Sequence, residues 1–363
     1  MHIPDGYLGP QTYIPAYGVM AALWAVGLAK LKKSLRLRQI PLLALGAAFS
    51  FVIMMFNVPI PGGTTGHAVG AVLVAVLLGP WAAMVAVSLA VIVQALIFGD
   101  GGITAIGANC FTMGVVTPFV GWWLYRLIAG SAPAQSARQW VGGAVGGWAG
   151  LTASGTVAGI LFGIQPLIAH DASGRALYSP FGLGVAVPVM LFEHMLIFGL
   201  VEAVATGLVI VMLQKTSPEL LPNSTPKLEK PAVNWWKRGA IILGVLVVLA
   251  PLGLWLPELT KAGTAWGEWS GAEIKTLLAQ QSGGKTEGYV PEGIKNAEDK
   301  GYKAPLPDYN LPGKDTAPLP QKSMIYILSG AIGVMILGMM IILFKKLFAR
   351  KENDESTHRD ANV

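Results

Sequence analysis

Long apolar segments recur along the chain and restrict most strongly what it can fold into. Each is roughly twenty residues long, enough to cross about 30 Å of hydrocarbon as a helix. Of the 363 residues, 53% are hydrophobic and only 13% are charged. Transmembrane β-strands would alternate apolar and polar residues over about ten positions, whereas these runs are continuously apolar. Since a helix satisfies its own backbone hydrogen bonds in lipid, the sequence predicts an all-α polytopic membrane protein.

Nine helices are predicted, seven before a polar linker and two after it. They span about 11–29, 40–57, 67–78, 81–98, 106–127, 140–163, 182–213, 239–256 and 323–344. The third is too short to cross a membrane alone. The glycine-rich loop before it is therefore expected to re-enter the bundle, with His67 opening the helix.

Charge and composition predict the orientation and the domain boundaries. The basic stretch at 30–38, KLKKSLRLR, follows the first helix and predicts a cytoplasmic loop, with the amino terminus outside and the carboxyl terminus inside. No basic region precedes the first apolar run, so no cleavable signal peptide is expected. The predicted parts are a first domain at 1–214, a cytoplasmic linker at 215–238, a second domain at 239–345 with an external segment at 257–321, and a cytoplasmic tail at 346–363.

Several functional classes are disfavoured by the residues present. The single cysteine, Cys110, allows neither an internal disulfide nor a cysteine-based metal cluster. The net charge of +6 comes from short clusters beside apolar runs, which membrane topology explains better than nucleic-acid binding. The sequence contains no HExxH, GxxxxGK[ST] or GxSxG motif. We therefore expect neither catalytic residues nor ATP hydrolysis by this chain, and any transport would need a partner or another gradient.

Met1, His2 and His67 are the candidate metal ligands. A histidine at position two can form fused chelate rings through the free α-amine, its own amide nitrogen and its imidazole Nδ1. Such a set of nitrogens leaves one corner of a square open and suits Ni(II) or Cu(II). The predicted topology brings His67, after the loop VPIPGGTTG, to the same outer face. A nitrogen of His67 would complete the plane, and the sequence leaves open which one.

Four further residues are candidates for roles around those ligands. Thr104 and Asn109, in the second glycine-rich loop, could hydrogen-bond and orient His67 or the amino-terminal loop. Glu193 and His194 are ionisable residues within an apolar segment, a placement that usually marks function in membrane proteins. Their position after Pro188 also fits helix packing, and both interpretations stay open.

The motifs together resemble a known transporter family. MHIPDGYL at the amino terminus, GGTTGHAVG around His67, GDGGITAIGAN at 99–109 and EHMLIFGLVEAVATGLV at 193–209 are similar to the CbiM/NikM substrate-binding subunits of energy-coupling-factor (ECF) cobalt and nickel transporters. The resemblance covers about residues 1–215 and implies a seven-helix bundle. It also implies metal ligation by nitrogens of Met1, His2 and His67.

The carboxyl-terminal part resembles the small CbiN/NikN partner, with PEGI at 291–294 where the PDGLE motif of that family would fall. The resemblance implies a prokaryotic cytoplasmic membrane, a transmembrane coupling subunit, two ATPase subunits, and Ni(II) or Co(II) as the transported ion, with no permanent cofactor. Planar nitrogen ligation favours nickel over cobalt, although copper would bind such nitrogens at least as well.

Two other classes of function remain open. A membrane-embedded metalloenzyme or metal sensor could use the same nitrogens, although a four-nitrogen plane leaves no obvious equatorial position for water, which argues against hydrolysis. A self-sufficient ion-coupled carrier would need more buried carboxylates than Glu193 and Glu202.

Overall fold

The computed structural model describes residues 2–60, 63–224, 235–283, 287–314, 316–343 and 345. Within these residues, six helices are long and apolar enough to cross a membrane, and a shorter apolar helix accompanies them. The six are Pro10–Ser34, Pro80–Phe98, Ala137–Ile168, Leu183–Thr216, Trp235–Thr260 and Leu319–Leu343, and the shorter one is Ile40–Met54. The predicted all-α polytopic fold is confirmed.

The predicted first domain contains ten α-helices within the described residues. They are α1 (Pro10–Ser34), α2 (Ile40–Met54), α3 (Ala71–Leu78), α4 (Pro80–Val93), α5 (Ile106–Asn109), α6 (Thr117–Ala129), α7 (Ala137–Gly163), α8 (Gln165–Ile168), α9 (Leu183–Glu193) and α10 (Gly199–Thr216). Single turns of 3₁₀-helix lie at Leu37–Gln39 and Pro218–Leu220. Between α2 and α3, β1 (Val58–Pro59) pairs antiparallel with β2 (Thr65–Gly66).

Within the described residues, three π-helical segments interrupt the long helices. They are Gln94–Phe98 after α4, Cys110–Val116 after α5 and His194–Phe198 after α9. π-Helical turns are rare and are found frequently at functional sites. The predicted fifth helix is thus present as α5, a π-helical segment and α6. Cys110 is buried, with Sγ 3.9 Å from the Ser88 carbonyl.

The predicted second domain contains two helices of membrane-spanning length and, between them, the folded segment that was predicted to be external and is called the external segment below. Its elements are α11 (Trp235–Leu249), α12 (Leu252–Thr260), α13 (Gly271–Gln281), α14 (Glu292–Lys300), a 3₁₀ turn (Pro307–Tyr309) and α15 (Leu319–Leu343). The Ser270 hydroxyl and the Glu273 carboxylate cap the start of α13 reciprocally, which fixes where this helix begins. α15 packs closely against α2 at Gly333. A Cβ added to Gly333 would lie 2.1 Å from the ring of Phe51 in α2, so the close approach requires glycine.

Some predicted boundaries differ from the structure. α10 continues to Thr216 and α11 begins at Trp235, so the connection is shorter than the predicted linker at 215–238. Residues 225–234 of that linker and the predicted tail at 346–363 lie outside the described residues. The external segment, predicted at 257–321, begins after Thr260 and ends at Leu319.

The external segment lies over the amino terminus and the outer loops of the first domain. The Tyr7 hydroxyl donates to the Trp269 carbonyl at 2.6 Å. The Leu306 amide donates to the Ile97 carbonyl at 2.9 Å. Through these bonds the second domain covers the region in which the candidate ligands meet.

Candidate metal site

The amino-terminal segment, residues 2–9, is folded into the bundle. His2 has 3% of its surface exposed and Ile3 none. At the other end of the segment, the Gly9 amide donates to the Gln165 side-chain oxygen at 3.0 Å. Met1 lies outside the described residues.

The second glycine-rich loop holds this segment through Asn109 and Thr104. The Asn109 side chain accepts from the Ile3 amide at 2.8 Å and donates to the Ile3 carbonyl at 3.0 Å. The Thr104 amide and hydroxyl donate to the Asp5 carboxylate at 2.8 and 2.5 Å. Both predicted residues therefore orient the amino-terminal segment, and Asn109 does so at the residue that follows His2.

His67 lies before α3, so the expectation that it opens the helix is wrong. Residues 67–70 are not helical, and Gly70 has the left-handed backbone angle φ +70°, which ends the extended stretch before Ala71. The Glu202 carboxylate of α10 accepts from the Val69 and Gly70 amides at 2.8 and 2.9 Å. Those bonds use amides that would otherwise be unpaired at the helix start. Glu202 therefore holds the loop that carries His67.

The two histidine rings meet within the bundle. Nε2 of His67 lies 3.3 Å from Nδ1 of His2, and the ring centroids are 5.0 Å apart. Nδ1 of His67 lies 3.1 Å from the Ala68 carbonyl, an acceptor only, so Nδ1 carries the proton and Nε2 presents its lone pair to His2. Burial lowers the pKa of His67 well below its ordinary value. The geometry thus identifies Nε2 as the nitrogen of a neutral His67 that faces the candidate chelate.

Asp100 is the acidic residue in contact with this pair. Its Oδ1 lies 2.9 Å from Nδ1 of His2. Burial opposes ionisation of this carboxyl group, but its contact with His2 and the hydrogen bond from the Tyr309 hydroxyl outweigh burial and hold the pKa of Asp100 below its ordinary value. The carboxylate is therefore ionised and places a negative charge beside the two imidazoles.

Glu193 and His194 lie farther from the pair. Nδ1 of His194 donates to the Met190 carbonyl at 2.8 Å, and a Glu193 oxygen lies 3.5 Å from the same nitrogen. The His194 ring packs edge-on against Phe198 with centroids 5.4 Å apart. Phe198 in turn touches Gly66, the residue before His67, where an added Cβ would lie 2.5 Å from the ring. The structure brings His194 toward the loop of His67 without a direct contact to either ligand.

Side chains alone do not form a metal cluster here. Within the described part of the chain, no group of three or more histidine, cysteine, aspartate and glutamate side chains is arranged to hold an ion. His170 is exposed, with its Nδ1 3.3 Å from the Asp171 carbonyl, and takes no part in the pair.

The sequence analysis missed three residues of this region. Asp100 stands in the GDGG motif, and a carboxylate in a glycine-rich outer loop was a signal that could have identified it. Glu202 was noticed only as a buried acid, although an acid inside an apolar segment suggests a specific partner. Tyr309, in the external segment, contacts Asp100 through its hydroxyl at 2.5 Å and had no sequence signal.

Comparisons with known proteins agree with this architecture. Residues 2–220 match the family model CbiM, described as the cobalt uptake substrate-specific transmembrane region. The fused nickel transport protein NikMN of Rhodobacter capsulatus is 44% identical over 93% of this chain and 95% of its own length. The probable fused nickel transport protein LarMN of Lactiplantibacillus plantarum is 40% identical over 99% of this chain and 100% of its own.

A solved structure shares the fold of the first domain. The crystal structure of a truncated transition metal transporter superposes with a TM-score of 0.55 and is 49% identical. The match covers 59% of this chain and 98% of the solved chain.

Proposed function

The chain belongs to the CbiM family of metal-uptake transmembrane proteins and is a transporter component rather than an enzyme, and from that premise we propose that it captures Ni(II) through nitrogens of Met1, His2 and His67. The supporting observation is the buried histidine pair, with Nε2 of His67 3.3 Å from Nδ1 of His2. Adjacent ligands of a square-planar ion, at metal–nitrogen distances of about 2.0 Å, lie about 2.8 Å apart. A shift of about half an ångström would therefore suffice for both imidazoles to bind one ion.

The remaining two ligands in this proposal are the amide nitrogen of His2 and the α-amine of Met1. His2 supplies two donors because its amide and its Nδ1 close one chelate ring, and the amine closes a second. Four nitrogens in a plane are the arrangement that Ni(II) and Cu(II) accept and that Co(II) favours less. The NikMN and LarMN relatives are named as nickel transport proteins, which supports nickel as the transported ion. The ion is cargo here, so every ligand must also release it.

Negative charge beside the site supports capture of a cation. The Asp100 carboxylate, 2.9 Å from Nδ1 of His2, lies close enough to attract a divalent ion in a buried environment, where charges interact more strongly than in water. His67 is neutral because burial lowers its pKa, so its lone pair is available without loss of a proton. Nδ1 of His2 would bind the ion as the other tautomer, with its hydrogen moved from Nδ1, where it faces Asp100, to Nε2. Ion binding would then release protons from the amine and the amide of the chelate.

For the transport step, we propose an ECF-type importer in a prokaryotic cytoplasmic membrane. In this mechanism the ion enters from outside and the amino-terminal segment closes over it. ATP-driven partners, namely a transmembrane coupling subunit and two ATPase subunits, then reorient the bundle toward the inside. The amino terminus would face outward and the carboxyl terminus inward. Purification from the native membrane tests whether ATPase subunits accompany the chain. Uptake by the chain alone is then measured, and metal uptake at full rate without those subunits would exclude dependence on an ATPase.

The metal site is tested by nickel titration of the purified full chain. Three forms remove the proposed ligands separately: acetylation of the Met1 amine, His2→Ala and His67→Ala. Each should weaken nickel binding by at least about a hundredfold, because loss of the amine or of Nδ1 of His2 opens a chelate ring and loss of His67 leaves the fourth position without its nitrogen. His170→Ala is the matched control, since this histidine is exposed and remote from the pair.

The acetylated form is the decisive one. Acetylation keeps every side chain and blocks only the Met1 amine, without placing a new amine two residues before His2 that could form another amino-terminal nitrogen chelate. If the acetylated form binds nickel as tightly as the unmodified chain, the amino-terminal chelate is excluded. If His67→Ala also binds normally, the histidine pair is not the site.

A further inference from the structure

One tyrosine of the external segment has its ring buried among aromatic side chains of both domains. The ring of Tyr309 stacks on Phe98 with centroids 4.8 Å apart, and Phe51 and Tyr326 pack edge-on against it. The Tyr309 backbone has a positive φ of 59°, which a non-glycine residue rarely adopts. Such a conformation persists only where the surroundings determine it. The position of this side chain is therefore strongly constrained.

The hydrogen bonds around the Tyr309 hydroxyl have a definite direction. Nε2 of Gln94 donates to the Tyr309 oxygen at 2.8 Å. The hydroxyl hydrogen is then directed to Oδ2 of Asp100, at 2.5 Å. A short hydroxyl–carboxylate bond of this kind is charge-assisted and stronger than a neutral one. Tyr309 therefore fixes the orientation of the Asp100 carboxylate.

The same carboxylate reaches the candidate metal ligand through its other oxygen. Oδ1 of Asp100 lies 2.9 Å from Nδ1 of His2. A continuous chain of contacts thus runs from Gln94 and Tyr309 through Asp100 to His2. Nδ1 is also the nitrogen proposed to bind the ion, so Asp100 gives up this contact on binding and remains beside the ion as a negative charge that tunes the metal affinity of the site.

We propose that Tyr309 is a positioning residue for nickel capture, acting on His2 through Asp100. The external segment of the second domain then contributes a side chain to the metal site of the first. This inference rests on the proposed function, because it concerns the same histidine pair. In this proposal the Tyr309 hydroxyl, and not merely the bulk of the external segment, sets the affinity for nickel.

Tyr309→Phe tests the hydroxyl while keeping the ring in its aromatic surroundings. The expected result is nickel affinity about ten- to a hundredfold weaker, the usual effect of losing a partner of a metal-ligating group. Tyr326→Phe is the matched control. Tyr326 packs against Tyr309 in the same cluster, but its hydroxyl donates to the Met55 carbonyl at 2.8 Å. The nickel affinity of Tyr326→Phe should stay within about twofold of that of the unmodified protein, because this variant removes no partner of a metal ligand.

A double-variant cycle distinguishes positioning from a general structural effect. In the Asp100→Asn background, the hydroxyl no longer orients a carboxylate, so Tyr309→Phe should have little further effect on nickel affinity. A purely structural role would give the same fold-loss in both backgrounds. The metal-free unfolding temperatures of all variants are measured alongside, to separate affinity from folding.

Two outcomes overturn the inference: unchanged nickel affinity in Tyr309→Phe, or equal losses with and without Asp100→Asn. Either could occur while His2→Ala and His67→Ala abolish binding, in which case the proposed function stands and only the role of Tyr309 fails. If the unmodified chain binds no nickel, the proposed function fails first. The two failures are therefore distinguishable.

Discussion

Replacing Asn109 with leucine should weaken nickel binding without unfolding the protein. The Asn109 side chain is fully buried, and its oxygen is the acceptor for the Ile3 amide at 2.8 Å. Leucine is similar in size but accepts no hydrogen bond, so Asn109→Leu leaves that amide without its partner. The Ile3 carbonyl loses one bond but keeps the Gly102 amide at 2.9 Å. The main cost is therefore one orphaned buried amide.

The size of the effect follows from that single loss. An unsatisfied buried donor costs about 1–3 kcal/mol, and this cost falls on the closed state of the amino-terminal segment. At about 1.4 kcal/mol per factor of ten, the closed state becomes about 5- to 150-fold less populated relative to the open one. His2 faces His67 only when the segment is closed. The apparent nickel dissociation constant should rise toward the same factor as the open state becomes populated.

The assay is nickel titration of Asn109→Leu beside the control Thr112→Val. Thr112 is also fully buried, less than one turn farther along, and its hydroxyl bonds only to the Ala108 and Asn109 carbonyls of its own helix. The control should keep its nickel affinity within about threefold, because it leaves no donor of the amino-terminal segment unpaired. Normal nickel affinity in a folded Asn109→Leu protein would refute the argument that this amide holds the site closed.

Three more outcomes are expected. Glu202→Leu should lower the free energy of unfolding by about 2 kcal/mol or more, measured by chemical denaturation, because two loop amides lose their acceptor, whereas Glu202→Gln keeps an acceptor oxygen and should cost less. Gly101→Ala should weaken nickel binding in titrations and Gly174→Ala should not: both have positive φ, but only at Gly101 would the methyl group meet His2, at 3.4 Å. Nickel affinity, titrated between pH 6 and 9, should rise about a hundredfold per pH unit below the ordinary amine pKa of about 7.7–8 and about tenfold per pH unit above it. Below that pKa both the amine and the amide lose a proton on binding, above it only the amide does, and burial keeps His67 neutral by lowering its pKa. A flat profile would exclude the amine as a ligand.

The sequence was sufficient to predict the membrane helices, because continuous apolar runs and their basic flanks depend only on local composition. It was not sufficient to place the start of α3. The glycines around His67 suggested a loop. The end of that loop is held by the Glu202 carboxylate, which accepts from the Val69 and Gly70 amides and lies far away in the chain. A local pattern carries no information about such a partner, so the predicted helix began four residues too early, at His67 instead of Ala71.

The same distinction separates the candidate site residues. Asn109 and Thr104 were predicted as polar residues of a glycine-rich loop that could hydrogen-bond and orient His67 or the amino-terminal loop. The contact between Asp100 and Tyr309 spans 209 positions and crosses from one domain to the other, and nothing in either segment indicates it. From the sequence, His2 and His67 could be placed only on the same face of the membrane. The distance between them and the orientation of their rings depend on how the intervening helices pack.

Access to the buried pair constrains how an ion can enter. His2 is covered by the segment that carries it, and that segment is itself held from outside: the Tyr7 hydroxyl donates to the Trp269 carbonyl at 2.6 Å. An added Cβ at Gly6 would lie 2.5 Å from the Gly293 carbonyl oxygen, so the two backbones pack without intervening side chains. The amino-terminal segment cannot lift outward while these contacts persist. In the proposed importer, opening the site from outside would therefore also displace the external segment. Because this segment belongs to the same chain, it would return at a high effective concentration, which would favour rapid closure after capture.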